Sequence, residues 1–549
     1  MNKIDELLEN INYSHFTYRI EKLKAVPESE SPVLKGRPLR TLSHDEVQSL
    51  ERQGNVCHDW SRIRVVEDFS AAFITQNLFI GDVVLGYFDG RMICNQESAG
   101  SLPSGIHRST IESSHIASGS AVHNCPRIFA TLVVRDSLLS NSSTGLTAGS
   151  RGTLYGNGVN IPVGIETGGR EISLYSDLSL ELAEYVLMHP GSAAVEDAYG
   201  THLSEYLERI RFNWTIIDKH SRILDCRSIV NSYIGPYSRV LGADEISNSS
   251  IFSTSSDPSV VTNSSIIRNS ILQDGVEVSD ASIIQNSMLF EHSHAEHHGK
   301  IVDSIIGPNS GVSKGEITSC FLGPFVGFHH QSLLIAAFWP GGRGNVGYGA
   351  NVGSNHTSRM PDQECWPGEG MFFGLSCAVK YPANFRKAPY SIVAAGVTTL
   401  PQKLEYPFSL INEPVGYFLE VPPGFNNLIP AWGLSANLYS LKRNEAKYYK
   451  RNKARRNRFD LRVFRPEILE YMRDAVGMLE NIRERKTIYL PGDIPGIGKN
   501  MLTDENRLKA IEAYRFFLDL VAFREERETI LAAGSGSGGA AARNRTGKE

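Results

Sequence analysis

Cysteine is scarce in this chain, and its placement excludes most of what cysteine does. Cys57, Cys94, Cys125, Cys226, Cys320, Cys365 and Cys377 are scattered, odd in number and never in C-x-x-C spacing. A disulfide framework and a cysteine zinc site are both disfavoured. No apolar run approaches the roughly 18–20 residues that a membrane span needs. Asp5, Glu6 and Glu9 stand where a signal peptide would place its apolar stretch. Charge of one sign is lacking too. A formal net charge of -5, with 21% charged residues, suits neither a nucleic-acid binder overall nor an intrinsically disordered chain. These absences point to the cytoplasm, with no membrane association, and nucleic acid is not an expected partner.

What is present is length, glycine and a repeat. The 549 residues include 49 glycines, enough chain for roughly two to four domains and for a fold with many tight turns. A short phrase recurs: a polar residue, a small one (usually Ser), any residue, then an apolar one. It reads Asn231-Ser-Tyr-Ile, Asn248-Ser-Ser-Ile, Asn269-Ser-Ile-Leu, Asn286-Ser-Met-Leu, Asp303-Ser-Ile-Ile and Thr318-Ser-Cys-Phe. The starts are 17, 21, 17, 17 and 15 residues apart. Three faces of about six residues make one turn of a solenoid, and no turn can bury its apolar edge alone, so the stack is the stable unit.

The expected fold is mainly β: a left-handed parallel β-helix of hexapeptide-repeat type, with a helical insertion and a C-terminal α-helical region. The boundaries expected are an N-terminal cap at 1–75, a first β-helix part at 76–176, a helical insertion at 177–215 and the main β-helix at 216–410. A helical region at 411–533 follows, and 534–549 reads as a linker or tag-like tail. Within these, Ser43-His-Asp-Glu46 has capping-box spacing ahead of a helix. Residues 466–482 and 504–530 space their apolar positions by three and four, as helices do.

The coils resemble the hexapeptide-repeat superfamily of acyltransferases, γ-class carbonic anhydrases and the β-helix domains of sugar-nucleotide pyrophosphorylases. Val302-Asp-Ser-Ile-Ile-Gly307 is most similar to the pyrophosphorylase version, and Ala394-Ala-Gly-Val-Thr-Thr-Leu-Pro401 resembles the last coil of many acyltransferases. Residues 323–412, with GFHHQSLLIAAFWP, GNVGYGANVGSNHTS and WPGEGMFFGL, look closer to an uncharacterised bacterial family related to the pyrophosphorylase β-helix. The resemblance implies a homotrimer with sites between subunits. Pyrophosphorylases also carry a glycine-rich nucleotide loop and a Pro-Lys, and residues 1–105 contain neither, so nucleotidyl transfer by that mechanism is not expected.

Six of the sixteen histidines fall between residues 292 and 330. With the coils registered on Ser287, Ser304 and Ser319, His297 and His298, Lys314 and Gly315, and His329 and His330 share the same two offsets. A corner with His-His, Lys-Gly and His-His over three coils is predicted. Lys314 disfavours a metal beside it and suits a phosphate or carboxylate, with an imidazole as general base. The competing reading is a solvated histidine loop. Asn355 and His356, where the chain leaves the coil marked by Val346-Gly and Val352-Gly, stand equally for a site or a structural turn. In the glycine-dense stretch 156–170, backbone amides, Arg170 as clamp and Glu166 as acid or base form a weaker anion-site candidate than a set of tight turns. Residues 491–500 (PGDIPGIGKN) lack phosphate-loop spacing. Residues 442–458 hold nine Lys/Arg and one acid, a solvated helix face or linker first, and an attractor of RNA, a phosphorylated cofactor or an acidic partner surface second.

Three functions follow as expectations. One is a transferase for a sugar, sugar nucleotide or similar anionic small molecule, with His298 or His330 as base. Its substrate would be bound by Lys314, His297, His329, Asn355, His356, Glu166 and Arg170. The resemblance supplies acyl transfer from a coenzyme A thioester as its reaction, or a nucleotide sugar as its ligand. The second is a metal-dependent hydratase or hydrolase of γ-carbonic-anhydrase type using His298, His330 and His356, with zinc less expected than an organic cofactor. The third is a non-catalytic oligomeric β-helix scaffold that presents the basic helical region to a partner.

Overall fold

The computed structural model describes residues 2–537 except 28, 35, 95–100, 148, 150–151, 166–167, 354–363 and 417, with side chains described to residue 527. The chain divides into two compact units, one of residues 1–365 with 452–458, the other of residues 366–451 with 459–549.

The first unit is a β-solenoid. Each turn gives one short strand to each of three sheets, here A, C and B in chain order. Among the described residues sheet A has thirteen strands, opening with the antiparallel pair Leu39–Thr41 and Ile63–Val66 and continuing in parallel to Phe338–Trp339. The solenoid therefore begins before residue 76: Val56–Cys57 already pairs in parallel with Leu78–Ile80. Its two parts are one stack, because Thr131–Val133 pairs directly with Thr215–Ile217 across the intervening excursion. One column of the interior is of a single residue type. Ile229, Ile246, Ile267, Ile284, Ile301 and Ile317, successive in sheet B, are all fully buried, each contributing about 1.5–3 kcal/mol of transfer free energy.

The repeated phrase is the turn between sheets B and A. Its first residue takes a left-handed backbone, with φ of 52°, 46°, 50°, 48° and 47° at Asn231, Asn248, Asn269, Asn286 and Asp303, a conformation that Asn and Asp tolerate best after Gly. The side-chain amides then run as a ladder, each Nδ2 donating to the next Oδ1 at 2.8, 3.2, 3.0 and 2.9 Å. The following serines, Ser232, Ser249, Ser270, Ser287 and Ser304, are fully buried. Each Oγ accepts the backbone N–H one coil on, at 3.0–3.2 Å. The last of these donors is Cys320, not Ser319. Ser319 itself has φ 53° and fills the Asn position, so the phrase beginning at Thr318 is one residue out of register. Cys320 stands where Ser stands elsewhere.

Sheet A is covered by the chain's own excursions. Phe16 of the helix His15–Lys24 packs against Tyr233 (4.9 Å), Phe252 (5.3 Å) and Tyr155 (5.8 Å). The excursion leaves the solenoid after Thr144–Gly145 and carries the helices Leu180–Met188 and Ala193–Ile210. Asp177 fixes it in place: buried, it accepts from Ser14 N (2.6 Å), Thr17 Oγ1 (2.7 Å) and Tyr206 OH (2.9 Å). The capping box at Ser43 and Glu46 forms.

The second unit contains further parallel coils, pairing Phe372–Phe373 with Ile392–Val393 and Ala378–Val379 with Thr398–Thr399. Helices Leu438–Arg451, Pro466–Glu480 and Asp504–Ser537 complete it. Among the described residues no helix is long and apolar enough to cross a membrane.

Candidate functional site

The in-phase register of Ser287, Ser304 and Cys320 sharpens the histidine corner. His297, Lys314 and His330 follow them by ten residues each, and all three are left-handed, with φ 55°, 56° and 51°. Their neighbours Glu296, Ser313 and His329 pair directly across sheet C. The column over three coils is therefore His297, Lys314, His330. His298 and Gln331 are second residues of two-residue corners, and the Lys314 corner has one residue fewer. His297 is held by Asp280 at 2.8 Å, while Lys314 makes no side-chain hydrogen bond or ion pair among the described residues. His330 lies beside His329, ring centroids 5.9 Å apart.

Next to that corner, the outer face of sheet C contains a feature that the His count alone does not reveal. His294, Gly311, Gly327 and Asn345 are successive partners across four strands. Gly inside a strand marks a close approach, and here the visitors are side chains. A Cβ on Gly311 would collide with the His294 imidazole, and one on Gly327 would lie 2.7 Å from Asn345 Oδ1 and 3.3 Å from His329 Nε2. Two adjacent glycines, about 4.8 Å apart by strand spacing, thus form a floor. Over it converge two imidazoles and one amide, with Lys314 at the adjacent corner. Sequence reasoning missed His294 and Asn345, and the signal available was a Gly in the strand phase where other coils carry a side chain.

Among the described residues no group of three or more His, Cys, Asp or Glu is arranged to hold a metal ion. His298 and His330 stand on corners two coils apart, about 10 Å. Asn355, His356 and Glu166 lie outside the described residues. Arg170 is not a free clamp: its guanidinium pairs with Glu364 and lies 5.5 Å from the Phe338 ring centroid. The glycines around it do make tight turns, and Gly156 (φ 85°) is required, since a Cβ there would come within 2.7 Å of Asn248 O. In residues 491–500 the Lys499 amide donates to Gln402 Oε1 at 3.1 Å, so that amide is taken up within the fold.

The basic run divides between the units. Residues up to Arg451 end the helix Leu438–Arg451 of the second unit, whereas residues 452–458 lie on the solenoid. There Glu291, buried, accepts the backbone N–H of Arg455 (2.9 Å), Arg456 (2.9 Å) and Asn457 (3.1 Å). Arg456 donates to Asp177 at 3.0 Å. One coil from Glu291, burial pushes the Asp274 carboxyl up to about 6, with Arg456 opposing and Glu291 and Asp257 adding to the shift.

With this geometry in view, the comparisons place the chain. It belongs to the family described as Domain of unknown function (DUF4954), whose model matches residues 39–483. It is also 26% identical over 463 residues to an uncharacterized protein of Treponema pallidum (strain Nichols), a match covering 82% of this chain and 62% of that relative. The chain thus spans less than two thirds of the relative's length.

Proposed function

We propose that the chain is a transferase-like β-helix enzyme for a sugar, a sugar nucleotide or a similar anionic small molecule, with acyl transfer as its reaction. The convergence of His294, His329 and Asn345 over the Gly311–Gly327 floor, with Lys314 alongside, carries this reading. An acceptor hydroxyl or amine lying on the floor gives its proton to His329. The freed lone pair attacks a thioester carbonyl, the C–S bond breaks, and the imidazolium returns the proton to the departing thiolate. Lys314 holds the anionic group of the substrate, and His297, His298 and His330 line the rim. This reading takes the coils as left-handed and hexapeptide-like, akin to the β-helix of sugar-nucleotide pyrophosphorylases. It also takes the assembly as a cytoplasmic homotrimer.

The test is a melting screen of the full chain against coenzyme A thioesters, nucleotide sugars and divalent metals, followed by turnover with the stabilising pair. His329→Gln is expected to lower turnover by about 10²–10⁴-fold with an unchanged melting temperature. Unchanged turnover in that variant removes the base assignment. A chain stabilised by none of the three supports the scaffold reading instead, and stabilisation by a metal alone supports the hydratase reading.

A further inference from the structure

The basic segment 452–458 is held more firmly than a linker needs. Besides the amides on Glu291 and Arg456 on Asp177, Asn309 donates to Asn452 Oδ1 (3.1 Å) and accepts from Lys453 N (3.1 Å). The backbone is thereby fixed by acids and amides of the solenoid, and the side chains of Lys453 and Arg455 are left to face a cleft. That cleft has a volume of about 820 Å³ and is lined by Arg239, Asp257, Glu277, His292, Lys453 and Arg455, within the roughly 300–1,000 Å³ of small-molecule sites. Asp257 is already engaged, by Arg455 at 3.1 Å and His292 at 3.4 Å. Lys453 forms no ion pair among the described residues. Lys453, on the segment held by Glu291 and Asn309, is thus left to meet an anion in the cleft. The cleft adjoins the glycine floor, because Glu277 on its lining pairs in register with His294.

We propose that this cleft binds the pyrophosphate of the donor or substrate whose reactive end lies on the Gly311–Gly327 floor, Lys453 and Arg455 supplying the charge. This rests on the proposed function for the floor and adds the substrate class: a molecule joined through two phosphates. A coenzyme A thioester and a nucleotide sugar share that group.

The experiment is calorimetric titration of the full chain with inorganic pyrophosphate. Saturable binding at one site per chain is expected, weakened about tenfold or more in Lys453→Glu and unchanged in His329→Gln. Absence of saturable binding up to millimolar pyrophosphate, or a Lys453→Glu variant that binds like the parent, overturns the inference. Because His329→Gln tests the floor through turnover alone, the two readings fail separately. Competition then identifies the source: displacement by coenzyme A or by a nucleotide sugar supports the inference and names the donor, and displacement by neither overturns it.

Discussion

The corner through Asn231, Asn248, Asn269, Asn286 and Asp303 and the corner through Asp280, His297, Lys314 and His330 turn the same coils with the same backbone. Their φ values lie between 46° and 56°. On the first, every amide is satisfied by the next at 2.8–3.2 Å. On the second, Asn263 and Asp280 begin such a ladder at 2.9 Å, His297 still reaches Asp280, and then the ladder stops. The backbone asks only for a residue that tolerates positive φ, and Asn answers it while bonding its neighbours. Lys314 and His330 give up those bonds, and Lys314 gains no described folding contact in return. That difference assigns the first corner to stability, and the second is where the proposed binding falls.

The comparison is broken most strongly by removing the serine ladder. Ser287→Val should leave the Ser304 N–H without its acceptor and crowd a filled interior. A loss of about 2–4 kcal/mol in denaturant unfolding is expected, and a loss under 1 kcal/mol would mean that the ladder is incidental. Asn286→Ala removes two side-chain bonds and places Ala at φ 48°, for about 1–2 kcal/mol.

A third corner tests charge instead of shape. Asp274 has its carboxyl at about 6 in the folded chain against 3.8 ordinarily, so the folded state keeps its proton longer than the unfolded state. Stability is then fullest below about pH 4 and declines as pH rises through about 6. Asp274→Asn should be more stable than the parent at pH 7, on the order of 1 kcal/mol, with the advantage vanishing near pH 4. An advantage independent of pH would assign the effect to packing.

The smallest stability effect sharpens the contrast best. His330→Asn places the residue preferred by the backbone on the histidine corner, and should change stability by no more than about 0.5 kcal/mol. A loss like that of Asn286→Ala would show that His330 carries the fold.

Much of this was legible in the sequence because a solenoid writes each coil as a local phrase. Asn-Ser at 17-residue spacing encoded both ladders, and the histidine corner was found from the same spacing. The register slipped at Thr318 because Cys320 fills a serine position while Ser319, beside it, looks like the repeated serine. A thiol and a hydroxyl occupy a similar volume beside a backbone N–H, and the pattern alone does not choose between them. The bonds of Cys320 N to Ser304 Oγ at 3.0 Å and of Ala337 N to Cys320 Sγ at 3.4 Å do.

By itself, then, the sequence determined the parallel coils, their corners, the helical excursion and the helices near the C-terminus. Each depends on periodicity within a turn and its immediate neighbours. Tertiary structure alone decided which side chains meet. It laid His294 over Gly311 from an adjacent strand, brought Asn345 and His329 to Gly327, and turned half of a basic run into a wall fixed by Glu291, 164 residues away in the chain from Arg455. Contacts across coils and between distant segments depend on register and on buried partners, and neither is written in the local phrase.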